Sequence, residues 1–111
     1  MKEIWILSAT RTPIGRFGGS LTNQTAVQLG VVAARAALQK AGIEAAQVDM
    51  TVLGLARQAG CGPNPGRQVS VKAGIPVSSP AYTLNQACAS GLSAVLAAAR
   101  HIQAGEAEVV L

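Results

Sequence analysis

The chain has 111 residues, half of them hydrophobic, with one Trp, one Tyr and one Phe and a net charge of +4. That length suffices for one compact domain, and the scarcity of aromatics means a core of Ala, Val, Leu and Ile. The positive charges are scattered Arg and Lys residues with no aromatic-interleaved basic cluster, so nucleic-acid binding has no support. They read as a solvated surface; attraction to a phosphate-bearing ligand is the weaker reading. No hydrophobic run is long enough to span a membrane.

In chain order, Ile4–Ala9 reads as a buried first strand, and its position leaves no room for a signal peptide. Arg11 to Gly19 is a loop, broken by Pro13 and three glycines. Thr25 with Gln28 forms a capping box for a first helix, on which Leu29, Ala33, Ala36 and Ala37 recur at helical spacing and which Gly42 closes. Val48–Ala56 is the second strand, and Gln58–Gly66 a Gly/Pro loop. Asn64-Pro65 offers an N-cap followed by Pro at the first helical position, opening a short helix to Ala73. Ala81–Gln86 is the third strand, Ser90–Ala104 an Ala-rich helix closed by Gly105, and Glu108–Leu111 the start of a fourth strand. Strands alternating with helices imply βαβ units: an α/β fold with a mostly parallel sheet and helices on both faces. Because the chain stops within an apolar strand, the expectation is a piece of a longer protein.

Cys61 and Cys88 are the two cysteines, and neither has metal-ligand spacing, so no metal is expected. Free thiols in a reducing cytoplasm are the default. Cys88 falls where the third strand turns into a helix, a place where free N–H groups and the helix dipole stabilise a thiolate. The same N–H groups can donate to an oxyanion on an attacked carbonyl. Geometry alone leaves two readings open for Cys88, a nucleophile or a buried structural cysteine. The only histidine, His101, lies further along the same helix. At about 1.5 Å per residue the separation is roughly 20 Å, far beyond hydrogen-bond reach of about 3 Å, so His101 reads as a surface or packing residue. Cys61 reads as an incidental loop cysteine. Arg67, in the first turn of the short helix, is either a packing or interface residue or a surface charge. Neither GxGxxG after a strand nor GxxxxGK[ST] is present, so the glycine runs are turns.

Three segments together resemble the thiolase family. Ser8-Ala9-Thr10-Arg11-Thr12-Pro13-Ile14-Gly15-Arg16-Phe17-Gly18-Gly19 resembles the opening of thiolases. Gln58-Ala59-Gly60 through Asn64-Pro65-Gly66-Arg67-Gln68 is similar to their loop into the second helix. Asn85-Gln86-Ala87-Cys88-Ala89-Ser90-Gly91-Leu92 resembles their nucleophile signature. Order and spacing agree, and the resemblance covers essentially the whole chain.

The resemblance implies acyl transfer between coenzyme A thioesters, either as acetyl-CoA C-acetyltransferase or as thiolysis of a 3-ketoacyl-CoA. Cys88 would be the nucleophile, acylated on sulfur, and its own backbone N–H an oxyanion donor. It implies that residues 1–111 form most of the thiolase N-terminal domain, with the rest of that domain and the C-terminal domain absent. Acyl-CoA would be substrate, with no cofactor held tightly, and the assembled protein a homodimer or homotetramer. The family's catalytic histidine and second catalytic cysteine, and most of its CoA-binding surface, belong to the absent part. Cys61 stands where the family loop commonly has another residue, so that second role is not assigned to it. Gly66 replaces a common Ala and is expected to weaken the short helix slightly. The alternatives are a ketoacyl-carrier-protein synthase-like enzyme, whose members do not usually open with Thr-Arg-Thr-Pro-Ile-Gly, or a non-catalytic thiolase-like half-domain.

Overall fold

The computed structural model describes residues Met1–Leu111. The first helix, α1, spans Ala26–Ala41. Its capping box forms as the sequence requires: Gln28 N–H donates to Thr25 Oγ1 at 3.1 Å and Thr25 N–H to Gln28 Oε1 at 2.8 Å. Gly42, left-handed at φ 68°, ends it. A single 3₁₀ turn at Ala45–Gln47 leads into strand β1, Thr51–Gly54. Helix α2, Pro65–Lys72, starts from Asn64 as N-cap with Pro65 at its first position. Strand β2 is Ala81–Leu84, and helix α3 is Ser90–Gln103.

β1 and β2 pair in parallel, Thr51 opposite Ala81 and Gly54 opposite Leu84. The other edge of β1 takes the end of the chain. Met50 bridges Val110 in parallel, Val52 N–H donates to Leu111 O at 2.8 Å, and Leu111 N–H to Met50 O at 3.0 Å. The fourth strand therefore docks beside β1, which becomes central. The Asp49 carboxylate fixes its register, accepting from Val109 N–H at 3.0 Å and Glu108 N–H at 2.9 Å. Those two donors hold the Asp49 carboxyl below the ordinary carboxylate range.

Side chains alternate across this sheet as the pleat dictates. One face carries Leu53, Val109 and Leu111 against α1 and α2, with Val27, Ala34, Val48, Val69, Ala73 and Ile75 as the buried core. The other face carries Met50, Val52 and Val110 against α3, with Ala94 and Ala107. Helices thus cover both faces, as the α/β reading requires. Burying an aliphatic side chain such as Val48, 1% exposed, or Ile75, 2% exposed, contributes about 1.5–3 kcal/mol each.

One expected strand is not there. Ile4–Ala9 belongs to no strand, and residues 1–15 make no backbone–backbone hydrogen bond. A strand exists only by its ladder, and this segment makes none with the outer edge of β2 or of Val109–Leu111. The segment instead lies along α1: Ser8 Oγ donates to Ala37 O at 2.7 Å, Thr10 Oγ1 to Ala33 O at 2.8 Å, and Lys40 Nζ to Ala9 O at 3.3 Å. Trp5, Ile6 and Leu7 remain exposed. The second and third strands are also shorter than their apolar runs.

Gly66 reverses its expectation. A Cβ there would lie 2.5 Å from Tyr82 O and 3.1 Å from Thr83 Oγ1. Gly66 N–H already donates to Thr83 Oγ1 at 2.8 Å. Glycine is what lets α2 approach β2 this closely, so its cost in helix propensity is offset by a contact that a methyl group would obstruct.

Candidate active site

β2 delivers the chain to Asn85, and α3 begins at Ser90; between them lies Cys88. The turn is braced by side chains. Asn85 Oδ1 accepts from Ala87 N–H at 2.9 Å, while its Nδ2 donates to Ala56 O, at 3.0 Å, on the chain leaving β1. Ser90 Oγ donates to Ala87 O at 2.6 Å and accepts from Gln86 N–H at 2.9 Å. Ser93 Oγ donates to Gln86 Oε1. Ala87 is held left-handed at φ 51°, a conformation that costs an alanine about 1–2 kcal/mol. Strain of this kind persists only where the surroundings over-determine it.

β1 supports the turn from below. A Cβ on Gly54 would lie 2.3 Å from Ser90 O and 2.8 Å from Gly91 N. The end of β1 therefore lies in near contact with the backbone of the first turn of α3, an approach only glycine permits.

Cys88 is exposed, and its thiol engages no protein acceptor. Its backbone N–H has no acceptor, and neither do those of Gly91 and Leu92. An accessible sulfur thus lies just before the positive end of the α3 dipole, on a residue whose own N–H is free. An acyl carbonyl brought to that sulfur would meet N–H donors as negative charge developed on its oxygen.

The other titratable candidates have partners of their own. His101 sits near the far end of α3, where Nδ1 contacts a Glu106 carboxylate oxygen and Nε2 lies 2.8 Å from Tyr82 Oη. A carboxylate only accepts, so Nδ1 carries a proton towards Glu106, while Nε2 and the Tyr82 hydroxyl share the second hydrogen bond. Tyr82 meets the imidazole edge to face, with ring centroids 5.7 Å apart. His101 is thus a packing residue tying β2, α3 and the turn after α3 together. Cys61 is half-buried, its Sγ 3.8 Å from Arg57 O and 3.9 Å from Ala59 O, beside a cleft of about 300 Å³ that also includes Thr25, Gln68 and Lys72. Arg67 resolves as an internal clamp: its guanidinium donates to Ser79 O at 3.0 Å and Val77 O at 2.8 Å, anchoring the loop before β2.

The close approach at Gly54 and the bracing roles of Asn85 and Ser90 are not among the sequence expectations. Two left a signal: a glycine at the end of a strand pattern implies close backbone approach, and an Asn at the end of a strand pattern is a candidate for bonding the backbone two residues on; Ser90 left none.

Residues 4–111 match the family model described as Thiolase, N-terminal domain. An acetyl-CoA acetyltransferase of Cupriavidus necator is 48% identical over 111 residues, all of this chain and 28% of that protein. The mitochondrial acetyl-CoA acetyltransferase of Rattus norvegicus is 40% identical over 111 residues, 26% of its length. Among solved structures, a thiolase from Ascaris suum in complex with coenzyme A superposes with a TM-score of 0.92 at 38% identity, over 94% of this chain and 27% of that one. An acetyl-CoA acetyltransferase from Syntrophomonas wolfei gives 0.91 at 36% identity, over 95% and 26%. The chain spans little more than a quarter of the length of these relatives.

Proposed function

The chain belongs to the thiolase family, and from that premise we propose that its parent protein transfers acyl groups between coenzyme A thioesters through an S-acyl intermediate on Cys88. The observation that carries this reading is an exposed cysteine with a free backbone N–H at a strand-to-helix turn, inside a family match spanning nearly the whole chain. On this reading residues 1–111 are most of the N-terminal domain.

The Cys88 thiolate attacks the thioester carbonyl carbon, forming a C–S bond as the carbonyl electron pair moves onto oxygen. The oxyanion accepts from the Cys88 N–H. Its collapse expels the CoA thiolate and leaves the acyl group on Cys88. A second acyl-CoA, deprotonated at its α-carbon, then attacks that acyl carbon. Cys88 leaves as thiolate, and a 3-ketoacyl-CoA is formed. Thiolysis by free CoA is the same path reversed. The base that takes the α-proton comes from the rest of the parent protein, since His101 is committed to Tyr82 and Glu106 at the other end of α3. The working enzyme is a cytoplasmic homo-oligomer in which both thiols stay reduced. Within this chain, no helix is long and apolar enough to cross a membrane.

The test is to expose full-length parent protein to acetyl-CoA, quench at low pH and map acylated peptides. The acetyl group is expected on the peptide holding Cys88. A stable adduct on the Cys61 peptide, or none on either, would overturn the proposal.

A further inference from the structure

We propose that Asn85 and Ser90 are positioning residues for Cys88: by gripping both peptide groups of Ala87 they hold it left-handed, and so keep the Cys88 N–H free and the sulfur accessible. The inference rests on the acyl-transfer reading of Cys88 and adds the means by which that residue is oriented.

The geometry points this way through three linked facts. First, Ala87 has φ 51°, a conformation uncommon and costly for an alanine. Second, both polar groups of Ala87 are engaged by side chains: the N–H by Asn85 Oδ1 at 2.9 Å and the carbonyl by Ser90 Oγ at 2.6 Å. Third, the brace is tied to the scaffold at both ends. Asn85 Nδ2 reaches across to Ala56 O at 3.0 Å, and Ser90 is 4% exposed at the start of α3. If Ala87 relaxed to a right-handed or extended conformation, the peptide joining it to Cys88 would rotate. The Cys88 N–H would then leave the position where it can meet an oxyanion. Neither Asn85 nor Ser90 needs to touch substrate; each acts through Ala87.

Glycine provides a specific rescue, because it takes φ above zero without a brace. In the full-length parent protein, Asn85→Ala is expected to lower kcat about 10²-fold, the loss typical of a nucleophile misplaced by about an ångström, with KM for acetyl-CoA unchanged. Asn85→Asp keeps an acceptor for the Ala87 N–H and should recover part of the rate. The double variant Asn85→Ala with Ala87→Gly should recover most of it. Ser90→Ala with and without Ala87→Gly repeats the test should Asn85→Ala fail to fold. An unchanged kcat, a KM rising in step with the loss, or no rescue by Ala87→Gly would overturn the inference.

The rate of Cys88 alkylation by iodoacetamide, measured on the same variants, separates this inference from the proposed function. If the unsubstituted protein forms no acyl-Cys88, the acyl-transfer reading fails. Slower alkylation in Asn85→Ala that Ala87→Gly reverses then still supports the brace, and an unaltered rate refutes it.

Discussion

Replacing Gly54 with alanine should disturb the turn without touching it covalently. The added methyl would lie 2.3 Å from Ser90 O, 2.5 Å from Ser90 C and 2.8 Å from Gly91 N. Carbon–oxygen contacts settle at about 3.3–3.6 Å, so β1 and the first turn of α3 must separate by about 1 Å. All three obstacles are backbone atoms, which cannot swing aside as a side-chain tip can. Overpacking of this kind costs about 1–3 kcal/mol, and alanine regains about 0.5–1 kcal/mol over glycine in a strand. The net expectation is a loss of about 1–2 kcal/mol. Because the displaced turn adjoins Cys88, kcat should fall as well, by up to about 10²-fold for a shift near 1 Å. Urea unfolding of the full-length protein reads the first effect, and a thiolysis assay under native conditions reads the second. A Gly54→Ala protein with an unaltered urea midpoint and an unaltered rate would refute the claim that β1 sets the position of α3.

Gly66→Ala should lower the urea midpoint despite alanine's better helix propensity, because its methyl would meet Tyr82 O at 2.5 Å; a rise in the midpoint would show that propensity wins. The Asp49 carboxyl is held low in the fold by Val109 N–H and Glu108 N–H. Its contribution is therefore present above the ordinary carboxylate value and is lost as pH falls below about 4 through the folded value. Asp49→Asn should flatten the acid limb of the stability profile, and an identical limb would contradict the assignment. His101→Ala should cost about 1 kcal/mol for its bonds to Tyr82 and Glu106 while leaving Cys88 alkylation unchanged; slower alkylation would mean that His101 communicates with the nucleophile.

Local signals carried much of the fold. The Thr25–Gln28 box, the Asn64-Pro65 start and the succession of strands and helices were legible because each depends on residues a few positions apart. Cys88 at a strand-to-helix turn was legible for the same reason. What escaped the sequence depends on distant partners. Ile4–Ala9 has the composition of a buried strand, yet it makes no ladder and lies along α1, bonded there through Ser8, Thr10 and Lys40. Gly66 looked like a weakened helix position because propensity ignores the Tyr82 carbonyl. The brace was hidden because one of its anchors, Ala56, is brought to Asn85 only by the pairing of β1 with β2. The helical rise separated His101 from Cys88 correctly, but its partners Tyr82 and Glu106 came from packing.

The most direct measurement is the thiolysis rate of the full-length protein carrying Cys88→Ala, set beside the same protein carrying Cys61→Ala. Removing the nucleophile should abolish turnover to the limit of detection, because the hydroxyls left at the turn, Ser90 and Ser93, are committed to Ala87 O and Gln86 Oε1. Removing the half-buried Cys61 thiol, whose Sγ points at the Arg57 and Ala59 carbonyls, should leave the rate within a few-fold of the unsubstituted protein. Retained turnover in Cys88→Ala, or its loss in Cys61→Ala alone with folding intact, would contradict the assignment of Cys88 as the acyl acceptor.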